Sequence, residues 1–244
     1  MKILLFISLL SVVLLVIESL YSAYKKDGIY TKKEALGNIL NFIALSFISQ
    51  KLIPVYLTFF LTWYAFASDS FSASYASSFV LAFICVDFAY YAFHRLIHKV
   101  KFFWDFHFVH HSDTKLNLTT AFRISFVEHV GILSFFGVVF LLGFDPHVVY
   151  SAIFLLGLYQ FMCHSQYVKL PIFWSYIFVT PQSHRIHHDM RNSSQNSNFG
   201  GMLSIWDRLF GTYKQNVEDI TIGVKGYHED NPLKYQAEPF LERS

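Results

Sequence analysis

Eight of the 12 histidines in this 244-residue chain lie in three short clusters. The sequence HRLIH occupies positions 94–98, HFVHH occupies 107–111 and HRIHH occupies 184–188. At this histidine content, one H-x-x-H-H would be expected roughly 0.03 times by chance, so two copies indicate a common cause.

The clusters have the spacing of residues that share one face of a helix. Side chains three and four positions apart are neighbours on a helix surface, so each H-x-x-H-H is predicted to direct its three imidazoles to one point. Neutral imidazole is the commonest metal ligand and suits zinc, copper, iron and nickel. Eight imidazoles are too many for one ion and suit two. The clustered residues are His94, His98, His107, His110, His111, His184, His187 and His188.

Other interpretations of the clusters fit less well. A lone histidine such as His147 or His228 is ordinarily a hydrogen-bonded residue, but clustered imidazoles repel one another when protonated and lack partners when buried. The E-x-x-H motifs of four-helix carboxylate di-iron proteins and the H-E-x-x-H helix of zinc proteases are absent from the sequence. A b-type cytochrome would need single histidines deep in separate helices. An all-nitrogen centre for two metal ions remains.

The composition indicates a membrane protein. Hydrophobic residues make up 54% of the chain and charged residues only 15%, whereas about a quarter of a soluble domain is charged. The net charge of +2 gives no indication of nucleic-acid binding. Cys85 and Cys163 lie in apolar runs and are interpreted as small buried hydrophobic residues.

The elements that must position the histidines are apolar helices. Residues 3–24 are interpreted as a retained membrane helix rather than a signal peptide, because no A-x-A cleavage site follows. Pro54 within the run 39–66 predicts an interfacial helix followed by a short span, because proline breaks the helical hydrogen-bond ladder. Further apolar runs cover 79–93, 130–144 and 147–163, and the last two form a predicted hairpin. The chain is therefore predicted to be an all-α integral membrane bundle with about four to five spans.

The distribution of basic residues predicts the orientation. If each apolar run is one span, the polar segments 25–38, 94–126 and 165–244 lie on one side of the membrane. They carry all of the 19 basic residues except Lys2 and Lys51. Basic residues favour the cytoplasmic face, so a histidine-rich helical cap holding the dimetal centre is expected on that face.

The three boxes in this order resemble the H-x(3)-H, H-x-x-H-H, H-x-x-H-H signature of the fatty acid hydroxylase/sterol desaturase superfamily. The sequences HHSDTKLNLTTAFR (110–123) and TPQSHRIHHDMRNSSQNSNFGGMLSIWDRLFGTY (180–213) are similar to the family's sequences after its second box and around its last box. The resemblance predicts N-terminal membrane helices outside the family region over 1–75, a catalytic domain over 76–215 and a cytoplasmic tail over 216–244.

The resemblance implies a non-haem di-iron centre whose ligands are the eight box histidines, with zinc as a possible substitute for iron. His164 is an implied further ligand, because some members have another H-x(3)-H at this place. In this chain Gln160 replaces the first histidine of that pair and is expected to hold a water or to support a ligand. His129 is interpreted as a ligand, a helix-end residue or a proton relay. No catalytic residue is expected beyond the metal ligands. Candidates for orienting or completing the metal ligands are Asp189, Asp207 and Asn198, although the two aspartates could equally cap or salt-bridge the tail.

The activity implied by the resemblance is O₂-dependent hydroxylation of an unactivated C–H bond of a fatty acyl, sterol or ether lipid. Alternatives are a lipid desaturase on the same scaffold and a metal-binding membrane transporter. No flavin, nicotinamide or iron–sulfur motif occurs in the chain, so a separate cytochrome b5-like or ferredoxin-like electron donor is expected. A multi-pass protein of the bacterial inner membrane is favoured over one of the endoplasmic reticulum.

Overall fold

The computed structural model describes residues 2–67 and 75–241, with the backbone alone at 2–8, 67 and 75. In this part of the chain the regular elements are helices, accompanied by isolated β-bridges such as that between Phe178 and Leu203. The predicted all-α class is therefore confirmed. The α-helices are α1 (Lys2–Lys25), α2 (Lys32–Ala67), α3 (Tyr75–Lys99), α4 (Lys101–His111), α5 (Phe126–Phe140), α6 (Pro146–Cys163), α7 (Pro181–His187), α8 (Asn192–Gln195), α9 (Ile205–Leu209) and α10 (Pro232–Ala237), with 3₁₀ turns at Leu118–Phe122, Ile172–Tyr176 and Glu238–Phe240.

Three of the described helices are long and apolar enough to cross a membrane. These segments are Lys32–Phe66, Ala76–Lys99 and Pro146–Cys163. Helix α5 is apolar but has only 15 residues, which is fewer than the roughly 20 that a perpendicular span needs. The helices expose large apolar side chains outward, among them Phe47, Val55, Val80 and Val138. Such a surface suits lipid, and the predicted membrane character is confirmed, while the number of four to five spans stays a prediction.

Pro54 lies inside α2 rather than at a break between two helices. The prediction of an interfacial helix followed by a separate short span is therefore wrong, because α2 is continuous from Lys32 to Ala67. Side-chain contacts with α5 occur on both sides of the proline. Ser49 contacts His129 at 2.6 Å, and Tyr56 contacts Ser134 at 2.9 Å. These contacts support the helix across the one backbone hydrogen bond that proline removes.

The apolar core of the bundle lies between α2, α3, α5 and α6. Phe60 of α2 stacks on Phe140 of α5 with ring centroids 4.4 Å apart, and Val86, Val149 and Leu156 are buried in the same cluster. Between helices in lipid, close packing rather than exclusion of water is the main attractive term.

Gly137 allows α2 and α5 to approach closely. A Cβ atom at this position would lie 3.0 Å from the Phe60 ring, which is closer than van der Waals contact allows. Small residues at helix interfaces in membranes have this role generally.

A polar layer joins the N-terminal helices to the histidine-rich segments. The Asn38 side chain donates to Asp113 at 2.9 Å, and the Asn41 amide donates to the Phe122 carbonyl at 2.8 Å. Glu18 of α1 accepts from the Ser165 hydroxyl at 3.2 Å. Segments 25–38, 94–126 and the start of 165–244 thus lie at one end of the bundle, as the basic-residue pattern predicts for segments on one side.

The C-terminal segment packs onto this same end. Tyr235 of α10 is fully buried, and the Arg123 guanidinium lies 4.2 Å from the centre of its ring. Tyr235 also packs with Phe108 and Val109 of α4. Helix α10 therefore contributes to the support of α4, which carries one of the histidine boxes.

Candidate metal centre

The structure gathers nine buried histidines into two adjacent groups. Within each group, one ring nitrogen from every residue lies within 4.8 Å of the others. We call these group A and group B. Group A contains His94, His98, His107, His111 and His187, and group B contains His110, His164, His184 and His188. The two groups adjoin where the His111 and His188 rings stack at 4.5 Å.

Each H-x-x-H-H box contributes to both groups. His107 and His111 of α4 belong to group A, whereas His110 between them belongs to group B. The expectation that the three imidazoles of one box converge on one point is therefore wrong. At 3.6 residues per turn, positions i and i+4 are about 40° apart, while i+3 and i+4 differ by about 100°.

The histidines of the final box are also divided between the two groups, but its pair lies in group B and its single histidine in group A. His184 and His188 enter group B, and His187 enters group A. Each H-x-x-H-H box thus gives a pair of imidazoles to one group and a single imidazole to the other.

Local sequence fixes the start of the helix that carries the final box. Thr180 and Ser183 form a reciprocal capping box, and Pro181 occupies the first turn of α7. Proline suits this position because its missing N–H would have no partner in the helix. His188 lies at the C-cap, one residue beyond the seven-residue helix. The helix start fixed by Thr180 and Pro181 therefore determines where all three histidines of the box lie along α7 and its C-cap.

Five histidines direct their second ring nitrogen at an oxygen atom. His107 Nδ1 lies 2.7 Å from Glu128 Oε1. The other four contact main-chain carbonyls: His94 with Phe199, His110 with Arg123, His164 with Gln160, and His187 with Ser197, at 2.7–3.1 Å. An Nδ1–H that donates to oxygen leaves Nε2 with its lone pair, which is the tautomer that a metal ion needs.

The Nε2 atoms that face the interior of each group make no hydrogen bond to protein groups other than histidine. In group A, the buried Nε2 atoms of His94, His98, His107, His111 and His187 have no hydrogen-bond partner. In group B, three Nε2 contacts of 3.1–3.2 Å link His110, His164, His184 and His188 to one another. Buried polar atoms are nearly always paired. The donor sets of both groups therefore fit nitrogen-binding metal ions.

Burial keeps these imidazoles neutral. Desolvation, with smaller contributions from neighbouring histidines, lowers the pKa of His107, His111, His184, His187 and His188 well below the ordinary 6.5. The pKa of His110 falls to about 4 and that of His164 to about 3, for the same main reason. At neutral pH their lone pairs are thus free to bind a metal ion.

Gln160 lies in the last turn of α6, and His164 is the residue that follows this helix. The His164 ring lies in group B, whereas the Gln160 side chain contacts protein groups: its Nε2 donates to the Gly201 carbonyl, and its Oε1 accepts from the Tyr90 hydroxyl at 3.1 Å. The Gln160 main-chain oxygen accepts from His164 Nδ1. Gln160 thus orients His164 through its backbone.

His129 belongs to neither group. Its Nε2 lies 2.6 Å from the Ser49 hydroxyl of α2, and the neighbouring Glu128 contacts His107. Of the three roles considered for His129, that of a ligand to these two groups is not supported by its position, whereas the roles of helix-end residue and proton relay stay predictions.

The two aspartates support loops rather than histidine rings. Asp189 pairs with Arg191 at 2.5 Å and accepts from the Thr221 amide. Asp207 accepts from the Phe199 and Gly200 amides, both at 2.8 Å. Asp207 therefore acts on group A indirectly, through the loop whose Phe199 carbonyl contacts His94.

Asn198 shapes that same loop. It has a positive φ of 56° and lies between the two carbonyls that contact His187 and His94. Its side chain donates to the Ser183 and Lys214 carbonyls and accepts from the Lys214 amide. Asparagine tolerates the left-handed conformation better than most residues, so its role here is structural.

Sequence reasoning missed Glu128 and Arg123 as supports of the histidines. Glu128 is an acidic residue in the first turn of an apolar helix, and that isolated charge was an available signal. Arg123 is completely buried, contacts Ser112 and Asn38 through its guanidinium, and offers its carbonyl to His110. Nothing in the sequence indicates which main-chain carbonyls, such as those of Ser197 and Phe199, would face the rings.

A cavity of about 760 Å³ opens onto the histidine groups. His107, His110 and His164 are among its lining residues, and most of the others are apolar residues, such as Ile53 of α2, Phe136 of α5 and Leu156 of α6. Among the described residues that line it there is no lysine or arginine. Its size and lining suit an apolar molecule such as a lipid chain.

Comparison with known proteins identifies a single family. The family model described as Fatty acid hydroxylase matches residues 79–212, which include all three histidine boxes. No solved structure matches the chain significantly.

Curated relatives are similar to more than half of the chain. Alkylglycerol monooxygenase of Xenopus tropicalis is 38% identical over 150 residues, which are 59% of this chain and 32% of the relative. The Homo sapiens protein of the same name is 36% identical, covering 64% of this chain and 35% of its own length. Ornithine lipid hydroxylase OlsE of Rhizobium tropici is 30% identical, covering 67% of this chain and 50% of its own. The chain thus spans about a third of the length of the alkylglycerol monooxygenases that it matches.

Proposed function

The chain belongs to the fatty acid hydroxylase family, and on that basis we propose that it is a membrane-bound di-iron monooxygenase that hydroxylates an unactivated C–H bond of a lipid. The observation that carries this proposal is the pair of adjacent, all-histidine groups at the end of an apolar cavity. The names of the curated relatives, which are lipid hydroxylases and monooxygenases, support it.

Nine histidines are the proposed ligands of two iron ions. Group A would hold one ion and group B the other, through the residues His94, His98, His107, His111, His187, His110, His164, His184 and His188. When bound, iron supplies the redox chemistry that activates O₂ with two electrons from a donor. Zinc fits the same nitrogen ligands, but it has no redox chemistry and would leave the enzyme inactive.

The protein itself orients the ligands, excludes water and binds the lipid. The carbonyls of Phe199, Arg123 and Ser197 and the Glu128 carboxylate hold the rings in one tautomer. The buried walls keep water from the reacting atoms. The cavity directs a carbon chain towards His107, His110 and His164.

The substrate is proposed to be a fatty acyl, sterol or ether lipid, with O₂ as co-substrate. Electrons are proposed to come from a separate cytochrome b5-like or ferredoxin-like protein. Desaturation and metal transport gain no support from the relatives' names.

The histidine groups are proposed to face the cytoplasm, in the bacterial inner membrane rather than the endoplasmic reticulum. The excess of basic residues at the end of the bundle that carries these groups supports the cytoplasmic orientation.

Lipid analysis under isotopic oxygen tests the proposed function. Cells that express the chain are grown under ¹⁸O₂, and their lipids are compared by mass spectrometry with those of cells expressing the His187→Ala variant. We expect a lipid that gains one ¹⁸O atom only with the unaltered chain. A lipid that loses two hydrogens without gaining oxygen would identify a desaturase, and an unchanged lipid profile would overturn the proposal.

A further inference from the structure

The cavity beside the histidine groups contains a polar patch in a mostly apolar wall. The patch consists of Ser49 on α2 and the consecutive residues Glu128 and His129 on α5, all of which line the cavity. The Ser49 hydroxyl and His129 Nε2 are 2.6 Å apart. The patch is thus built from two helices and includes the residue that contacts His107.

Three other polar residues of the wall have protein partners. The Tyr90 hydroxyl donates to Gln160, whose amide donates in turn to Gly201. The Ser46 hydroxyl donates to the Phe42 carbonyl at 2.7 Å. These hydrogen bonds occupy the three side chains, whereas Gln50, which also lines the cavity, is an exposed residue.

The patch retains hydrogen-bonding capacity. Glu128 uses Oε1 for His107, while its buried Oε2 has no partner. When His129 Nε2–H donates to Ser49 Oγ, the serine hydroxyl is free to donate its own hydrogen. The wall then offers one acceptor and one donor, and a hydroxyl group can use both because it has one hydrogen and two lone pairs.

The lining of the cavity disfavours ionic groups. The described lining residues include no lysine or arginine that would neutralise a buried carboxylate or phosphate. An ammonium group would have to share Glu128 with His107, which already contacts Oε1. Since burying an incompletely paired charge costs several kcal/mol, an uncharged polar group is the better occupant.

We propose that Ser49, Glu128 and His129 form a subsite that binds an uncharged hydroxyl group of the lipid substrate. The proposal rests on the proposed function, because it takes the cavity to be the substrate site. It gives His129 the role of a substrate contact and predicts a preference for alcohols over fatty acids, amines and hydrocarbons of equal length.

Ligand binding to the metal-free protein tests the subsite without turnover. The full chain in lipid nanodiscs is titrated with 1-dodecanol, dodecane, dodecanoate and dodecylamine, and the heat taken up by empty nanodiscs is subtracted. We expect dodecanol to bind about tenfold more tightly than dodecane, as one or two net hydrogen bonds would give, and more tightly than either ionic probe.

Variants locate the preference at the patch. Ser49→Ala and His129→Phe should reduce the dodecanol preference to within about twofold of dodecane, whereas Ser49→Thr, which keeps the hydroxyl, should retain it. Ser134→Ala is the matched control, because it removes the other α2–α5 hydroxyl contact, that with Tyr56, at a residue outside the cavity lining. It should leave the preference unchanged.

Several results would overturn the subsite. These are tighter binding of dodecanoate or dodecylamine than of dodecanol, an alcohol preference that survives Ser49→Ala, or no saturable binding of dodecanol. Circular dichroism of each variant separates loss of the helical fold from loss of the subsite. If Ser49→Ala misfolds, the comparison of Ser49→Thr with His129→Phe tests the subsite in its place. Because no iron or turnover is involved, such a failure would leave the proposed hydroxylase activity intact.

Discussion

His110 and His111 are adjacent in the sequence, yet they belong to different histidine groups. Their ring planes are 89° apart, and their centroids are separated by 5.7 Å. The peptide bond between them therefore joins the two groups, as does the one between His187 and His188.

Loss of a histidine should empty one group in preference to the other. His98→Ala removes a ligand of group A and His184→Ala one of group B, so each variant should retain about one metal ion per chain and show no turnover. Metal content is measured by mass spectrometry after purification. His228→Ala, which replaces a half-exposed residue beside Glu34 and Asp230, is the control and should retain both ions. Full loading of either test variant would contradict the assignment.

Glu128→Ala should weaken metal binding by about 10–100-fold, because His107 loses the acceptor that fixes its tautomer. Glu128→Gln should be milder, since an amide oxygen still accepts from Nδ1–H. The measurement is competition against a chelator of known affinity. Ser125→Ala removes the N-cap of α5, whose hydroxyl accepts from the Glu128 amide at 3.1 Å, and controls for helix destabilisation. Equal effects of Ser125→Ala and Glu128→Ala would refute the specific role.

The metal-free protein should lose stability as the pH falls below about 6.5. The buried histidines have pKa values below 6.5 in the folded state, reaching about 4 at His110 and about 3 at His164. Between pH 6.5 and these lowered pKa values, the unfolded chain binds more protons than the folded chain, so acid favours unfolding. Thermal unfolding from pH 7.5 to 4 checks this. His184→Gln removes one such histidine, so the slope of the free energy of unfolding against pH should fall by the equivalent of about one proton. An unchanged or steeper slope would show that His184 does not titrate in this way.

Gln160→Ala should lower the melting temperature but leave metal in group B. The variant deprives the Tyr90 hydroxyl and the Gly201 carbonyl of partners, at a cost of about 1–3 kcal/mol each. It keeps the main-chain oxygen that accepts from His164 Nδ1. Differential scanning calorimetry and metal analysis give the two readouts. His164→Ala should instead lose the group B metal, and loss of metal in Gln160→Ala would show that the amide itself is needed.

Single cysteines should be labelled from the cytoplasm at Lys32, Lys115 and Lys225, three exposed residues at the histidine end of the bundle. A cysteine at Leu142, in the turn between α5 and α6, should be labelled only from the opposite side. The background is a Cys85→Ser, Cys163→Ser chain, and a membrane-impermeant maleimide is applied to intact cells and to inverted vesicles. Labelling of the first three positions from outside intact cells would reverse the proposed orientation.

Local chemistry in the sequence was sufficient for the general character of the protein. Long apolar runs predict membrane helices because the bilayer imposes their length and composition. Histidines at helical spacing predict metal ligands because no other common role accommodates eight clustered imidazoles. His164 was also indicated, since its place after an apolar hairpin resembles a family motif.

The tertiary structure decided how these parts combine. Helical spacing relates residues of one helix, but the division of His107, His110 and His111 between two groups depends on which histidines from the other helices pack beside them. The continuity of α2 through Pro54 likewise depends on contacts with α5 on both sides of it. The support of His107 by Glu128 joins residues 21 positions apart. Such relationships arise from packing between helices, and the periodicity of a single helix contains no information about its neighbours.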